Sequence, residues 1–358
     1  MAEITASMVK ELREMTGAGM MDCKKALNEC NGNMEEAVDF LKKSGAAKME
    51  KKASRIAAEG IARVAVTANE AVVAEVNSET DFVAKNETFQ EFVQLVADTA
   101  LASGLNGGKN GEDIEALLET NGLKEELIQK TATIGEKLSV RRFEKVSGEC
   151  VASYIHAGGK IGVIVAADGA TDVKEALTNV AMQIAAMNPQ YISRDEISQA
   201  EIDKMRDITV DASLADPASL PKPILNSLIE KAIADKVWSD EDIAIYEEKK
   251  SNMNFLFNFL SEAAKQALVG LAMADKANIV ANKIFGGMIE GRISKQLKDI
   301  CLLDQTYVKA EDGKQTVAAY LKSVNGAIVI KKVVRFEVGE GMEKKSENFA
   351  DEVAKQMA

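Results

Sequence analysis

Two runs, Ile61-Ala62-Arg63-Val64-Ala65-Val66-Thr67 and Ala71-Val72-Val73-Ala74-Glu75-Val76-Asn77, decide the fold. Before them, apolar residues recur at helical spacing. Within them, β-branched residues dominate and the period shortens, which predicts two strands joined as a hairpin. A loop is expected over 78–87. Phe89, Phe92, Val93 and Val96 then mark an amphipathic helix, with Thr88 and Glu91 as its capping box. The same order recurs further on. Strands are predicted at 151–155 and 161–166, around His156-Ala157-Gly158-Gly159-Lys160, where paired glycines suit the positive φ of a tight turn. Val173, Ala176, Leu177 and Val180 continue into a helix that reaches Met187 and stops near Pro189. Hairpin then helix, twice, predicts an α+β protein with two related subdomains of antiparallel strands. The stretch 102–137 between them reads as helix interrupted by glycines.

Working outward, the N-terminal fifty residues predict three short helices. Their apolar faces are Met8, Leu12 and Met15; then Cys23, Ala26, Leu27 and Cys30; then Met34, Ala37, Val38 and Leu41. Thr16-Gly17-Ala18-Gly19 and Asn31-Gly32-Asn33 separate them, and Asn33 with Glu36 forms an N-terminal start signal. The resulting plan is a helical bundle over 1–45 and a basic connector helix over 46–60, carrying Lys48, Lys51, Lys52 and Arg55. A first core subdomain follows over 61–148 and a second over 149–204 and 283–338. An inserted helical excursion occupies 205–282, broken at Pro217, Pro221 and Pro223 and holding Trp238. A helix near 279–297, an irregular piece at 301–307 and a strand at 327–338 follow it. A C-terminal helical module over 339–358 includes a helix at 346–357.

Composition narrows the function. With 358 residues, 46% of them hydrophobic, the chain is globular and long enough for two or three cores. Aromatics at 5% beside 15 methionines fit alanine-rich helices and Met-lined surfaces better than a base-stacking or sugar site. A net charge of −12 repels phosphate backbones, so nucleic acid is not an expected partner. Cys23, Cys30, Cys150 and Cys301 are scattered and His156 is the single histidine, so no zinc spacing exists. Buried thiols in a reducing cytosol are expected. The start has no secretory pattern, and the most apolar later stretch, 252–274, is interrupted by Glu262 and Lys265. A cytoplasmic protein without a membrane span is therefore expected. Enzyme signatures fail in detail: Gly159-Lys160 runs into Ile161, Asp22 stands where a third glycine would complete a dinucleotide loop, and no G-x-S-x-G occurs. No catalytic residue, cofactor or metal is expected. Two other readings stay open, a carboxylate enzyme without a motif and a dimerising adaptor.

Several residues stand out. Met20 and Met21 cannot both face the core of one short helix, so either one caps the bundle and the other is idle, or they form a contact surface. Phe82, beside Asp81 in a loop, either folds back onto the core, which pattern alone favours, or projects toward a partner. His156 at a hairpin tip is solvated or meets a partner. Lys24 and Lys25 read most simply as a solvated face.

The same residues carry a resemblance. Met15-Thr16-Gly17-Ala18-Gly19-Met20-Met21-Asp22-Cys23-Lys24-Lys25-Ala26-Leu27 and Val76-Asn77-Ser78-Glu79-Thr80-Asp81-Phe82-Val83-Ala84-Lys85-Asn86 resemble the two signatures of the elongation factor Ts family. His156 with Ile161-Gly162-Val163, Cys301-Leu302-Leu303-Asp304-Gln305 and Arg335-Phe336-Glu337-Val338-Gly339-Glu340-Gly341 resemble further family segments. The resemblance implies a ubiquitin-associated-like bundle, two α+β core subdomains, a coiled-coil-like excursion that is a candidate dimerisation surface, and a C-terminal helix acting as a second clamp. It implies a guanine nucleotide exchange factor for elongation factor Tu, with no covalent chemistry. Thr80, Asp81, Phe82 and Val83 would dislodge the partner's magnesium and nucleotide. Leu12, Met20, Met21 and Lys24 would dock on its GTPase domain, and His156 would touch a second domain.

Overall fold

A computed structural model describes residues 4–343. The chain forms two compact units, one from residues up to 188 together with those from 306 onward, the other Pro189–Gln305.

The first unit is built on two three-stranded antiparallel sheets. Strands β1 (Glu59–Val66), β2 (Glu70–Ser78) and β3 (Ser139–Ser147) form one in that order; β4 (Cys150–His156), β5 (Ile161–Asp168) and β6 (Val329–Glu337) form the other. The sheets pack face to face. Ala71 and Val73 of β2 meet Ile164, Ala166 and Val334 between them, while Val72, Ala74 and Val76 point the other way. This alternation is the strand period itself, and it buries the central strand on both faces. Each sheet has one β-bulge, between Glu75 and Val76 in the first and between Ala166 and Ala167 in the second.

Helices cover the outer faces. The bundle helices are α1 (Ala6–Thr16), α2 (Met20–Glu29) and α3 (Met34–Lys52). A single-turn helix α4 (Asp81–Ala84) precedes α5 (Glu87–Ala102), whose Phe89, Phe92, Val93 and Val96 pack on β1 and β2. Full burial of each such phenylalanine contributes about 1.5–3 kcal/mol. The pair α6 (Ile114–Leu118) and α7 (Leu123–Ile134) leads into β3, and α8 (Lys174–Met187) lies on β4 and β5.

In the second unit α9 (Gln199–Ala215), α10 (Lys222–Ala234), α11 (Asp240–Lys249), α12 (Glu262–Ala274), α13 (Lys276–Ala281) and α14 (Lys283–Ile300) enclose their own core. Leu214, Leu228, Ile229, Leu256, Leu268 and Phe285 are buried in it. Trp238 is buried too, its indole N–H donating to the Ala264 carbonyl at 3.1 Å. This unit extends beyond the 205–282 stretch that periodicity marks, because Tyr191 and Cys301 bridge its two ends. Back in the first unit, α15 (Val317–Val324) precedes β6.

Several local expectations change. The third bundle helix and the basic connector are one helix, α3, which continues through Gly45 and ends at Lys52. The loop after β2 contains a helical turn. The start of α5 is capped by Asn86, whose side-chain oxygen accepts from the Phe89 N–H at 3.2 Å, so Thr88 already lies inside the first turn. Strand β3 and helix α15 escape the periodicity. Asn33 does cap α3, accepting from the N–H groups of Glu35 and Glu36, and its amide donates to the Glu36 carboxylate at 2.9 Å. The helix expected over 346–357 lies outside the described residues.

Candidate functional site

The turn that follows β2 begins with Thr80 in extended conformation, φ −127° and ψ 156°. Its hydroxyl accepts from the Val83 N–H at 3.4 Å, which starts α4. At the other end Ala84 is buried, and the Gln90 amide donates to its carbonyl at 3.2 Å. Val83 is half-buried between them. With both ends fastened and Ala84 facing inward, the helical turn directs Phe82 outward, leaving its ring 79% exposed. Phe82 therefore does not fold back onto the core.

Asp81 forms an i,i+4 ion pair with Lys85 at 2.8 Å, and the Lys85 ammonium lies 5.8 Å from the centre of the Phe82 ring. The hydrogen bond from Lys85 holds the Asp81 carboxyl below the usual aspartate range, and the nearby Lys160 charge acts in the same direction. Asp81 thus presents a firmly ionised carboxylate in a partner arrangement that solvent screening keeps weak.

Behind the turn lies a clamp that sequence reading does not reveal. Oε2 of Glu136 accepts from the N–H groups of Glu79 at 3.1 Å and Thr80 at 3.0 Å. Its Oε1 accepts from the Thr80 hydroxyl at 2.7 Å. In return the Glu79 carboxylate accepts from the Lys137 N–H at 2.6 Å and from Arg55 at 3.2 Å. Two dipeptides separated by more than fifty residues exchange carboxylates, and no short-range signal in the sequence announces it.

The hairpin tip carrying His156 and the helix α4 both pack against β1. The tip reaches β1 through Gly159, at φ 106°, where an added Cβ would stand 3.0 Å from Ile61. His156 is exposed, its Nδ1 3.1 Å from the Tyr154 hydroxyl.

On the bundle, Met20 and Met21 are 60% and 77% exposed, and Lys24 is exposed on the same helix. Met15 is exposed too. Leu12 is different: it has 0% exposure and lies among Val9, Cys23, Ala26 and Leu27. It offers no surface for docking, because its position on α1 is the bundle's core face. Its place is behind the methionines rather than among them. Cys23 is equally buried, and desolvation pushes its thiol pKa up.

Among the described residues, no three His, Cys, Asp or Glu side chains converge as a metal site, and no helix is long and apolar enough to cross a membrane. Fold and turn together define an α+β scaffold with an exposed aromatic side chain on a short, fastened helical turn. The family model described as "Elongation factor TS" matches residues 79–340. The chain is also 44% identical, over 371 aligned residues spanning 100% of both chains, to "Elongation factor Ts" of Clostridioides difficile (strain 630). This chain belongs to the elongation factor Ts family.

Proposed function

We propose that the chain is a guanine nucleotide exchange factor for elongation factor Tu, acting in the cytoplasm and forming no covalent bond. Family membership supports the partner and the activity. The observation that carries the mechanism is the Phe82 ring, 79% exposed on a turn fastened at both ends. A translation GTPase holds GDP through Mg²⁺ and backbone donors around the phosphates. Phe82 wedges between the partner's helices and shifts those elements. Asp81 exchanges its weak Lys85 pairing for the neighbourhood of the cation and disturbs it by charge. Thr80 and Val83 hold the pair at its angle. GDP leaves, and the GTP form is regenerated for the next round of elongation. Linkage makes the effect reciprocal: a factor that weakens nucleotide binding is itself released when nucleotide returns.

Met20, Met21 and Lys24 on the bundle, a ubiquitin-associated-like module in this reading, dock on the GTPase domain. Leu12 supports them from inside, and His156 meets a second domain. The excursion, marked as 205–282 by sequence pattern, supplies a dimerisation surface, and 339–358 a second clamp. The net charge of −12 supports a protein partner over nucleic acid.

The test uses the full chain and elongation factor Tu loaded with fluorescent GDP. Phe82→Ala should slow maximal GDP release at least tenfold while complex formation persists. Undiminished acceleration by a folded Phe82→Ala chain rejects the wedge.

A further inference from the structure

We infer that Glu136 is a positioning residue for exchange, holding the Asp81–Phe82 turn at its working angle through the backbone of Glu79 and Thr80. The inference rests on the reading that this turn is the element that dislodges nucleotide.

A helix of four residues, such as α4, has no stability of its own, because nucleation costs more than one turn of hydrogen bonds returns. Its direction must be imposed from outside. Glu136 does this with three bonds, to Glu79 N–H, Thr80 N–H and Thr80 Oγ1. These residues immediately precede Asp81. The Thr80 bond is the decisive one. With its hydrogen donated to Glu136 at 2.7 Å, the hydroxyl has its lone pairs free for the Val83 N–H, the bond that starts the turn. Removing the carboxylate frees the hydroxyl rotor and leaves two N–H groups without their acceptor, so the turn loses its direction while the strands beneath it keep theirs.

The position of Glu136 is itself fixed. Gly135, at φ 85°, ends α7 with its N–H donating to the Thr131 carbonyl at 3.1 Å, and Glu136 follows at once. Lys137 then ties the same corner to the connector from the bundle, its ammonium donating to the carbonyls of Ala53 at 2.7 Å and Arg55 at 2.8 Å. Between the bundle and α7 lies a cleft of about 310 Å³, lined by Met15, Ala18, Val38, Leu41, Ile128 and Ala132. Across that seam Gly45 approaches Ile128 closely and the Gln129 amide donates to the Thr16 carbonyl, so α7 itself is held to the bundle. The corner of Gly135, Glu136 and Lys137 therefore joins both contact elements, the methionines of α2 through the connector and Phe82 through Thr80.

A positioning residue acts on the rate of release rather than on affinity. The experiment measures GDP release from elongation factor Tu against concentration of the full chain, for wild type, Glu136→Ala, Glu136→Gln, Phe82→Ala and the Glu136→Ala/Phe82→Ala double variant. Glu136→Ala is expected to lower the saturating release rate about tenfold and to change the half-saturating concentration less than threefold. Glu136→Gln, whose amide oxygen can still accept from the backbone pair but whose NH2 group cannot accept from the Thr80 hydroxyl, should recover only part of the rate. The double variant should release GDP no more slowly than Phe82→Ala alone, since Glu136 works only through that ring. Circular dichroism and melting establish folding, and if Glu136→Ala does not fold, the Gln variant and amide exchange at Thr80 and Val83 carry the test. An unaltered saturating rate in folded Glu136→Ala, or additive loss in the double variant, overturns the inference. If Phe82→Ala itself leaves release untouched, the wedge reading has failed instead, and the two failures are distinguishable.

Discussion

Replacing Met20 and Met21 together with alanine separates docking from folding. Both side chains project from α2 into solvent, 60% and 77% exposed, so truncating them opens no cavity. The bundle core of Leu12, Cys23, Ala26, Leu27 and Ala37 is untouched. Folding stability should therefore change by less than about 0.5 kcal/mol. Binding should change much more. Burying a whole methionine side chain contributes about 1.5–3 kcal/mol. Scaled by the 60% and 77% still open to water, a partner that covers both gains about 2–4 kcal/mol. The alanine methyls retain about a quarter of that, leaving a loss of ~1.5–3 kcal/mol, or about 10- to 150-fold in affinity. Titration calorimetry against nucleotide-free elongation factor Tu measures it, with far-UV circular dichroism and a thermal melt on the same sample. If the double variant melts like wild type and binds with the same constant, the methionines are idle surface and the docking assignment fails.

Two further outcomes follow from burial and charge. Leu12→Ala should destabilise the bundle by about 2–5 kcal/mol through the cavity it leaves; a thermal melt that does not shift would contradict its core position. The Asp81 carboxyl, held down by Lys85, should titrate below the 3.8 of an ordinary aspartate. A depressed folded-state pKa means that the pairing's contribution is full above 3.8 and fades as pH falls through the lower folded value. An NMR titration of the carboxyl carbon reads the midpoint, and Lys85→Ala should move it back up; a midpoint at or above 3.8 removes the pairing.

Much of the scaffold is legible because burial writes itself into spacing. The strand at Glu70–Ser78 is enclosed by a sheet on one side and α5 on the other, so Ala71, Val72, Val73, Ala74 and Val76 form an apolar run buried on both faces. The N-cap of α3 is legible because Asn33 and Glu36 lie three residues apart. Strand β3 is not, for two physical reasons. Its buried positions include Arg142, whose guanidinium is neutralised by the buried Glu75 at 2.6 Å and stacks 4.2 Å from the Phe336 ring. In addition the bulge opposite Glu75 and Val76 breaks its alternation. The site shows the same division. Asp81 and Phe82 are visible as an unusual pair, but whether the ring points in or out depends on Glu136, which spacing cannot bring near. Leu12 sits in a recognisable apolar stripe, and that stripe is what buries it.

The exposed ring also explains why the support is so heavily bonded. An aromatic side chain at a loop tip is drawn toward the nearest apolar surface, since covering it is favourable by about 1.5–3 kcal/mol. Here α4 packs on β1, β2 and α5, so the apolar core lies directly beneath the turn. The chain resists collapse by committing the backbone that would have to move. The Glu79 and Thr80 N–H groups and the Thr80 hydroxyl go to Glu136, the Ala84 carbonyl goes to Gln90, and the Ser78 hydroxyl donates to the Thr80 carbonyl at 3.0 Å. Folding Phe82 inward would break several of these, and unmade hydrogen bonds of buried groups cost about 1–3 kcal/mol each. The balance favours the ring outside, held before any partner arrives, so ordering is not left to the moment of binding. The second hairpin shows what the scaffold does without that commitment. After β5 the chain turns through Asp168 and Gly169 directly toward α8, with no helical turn between and no aromatic residue to present. Two sheets of the same strand order therefore end differently: one carries Phe82 outward on a helical turn, and the other lays its Ala157–Gly159 tip against β1.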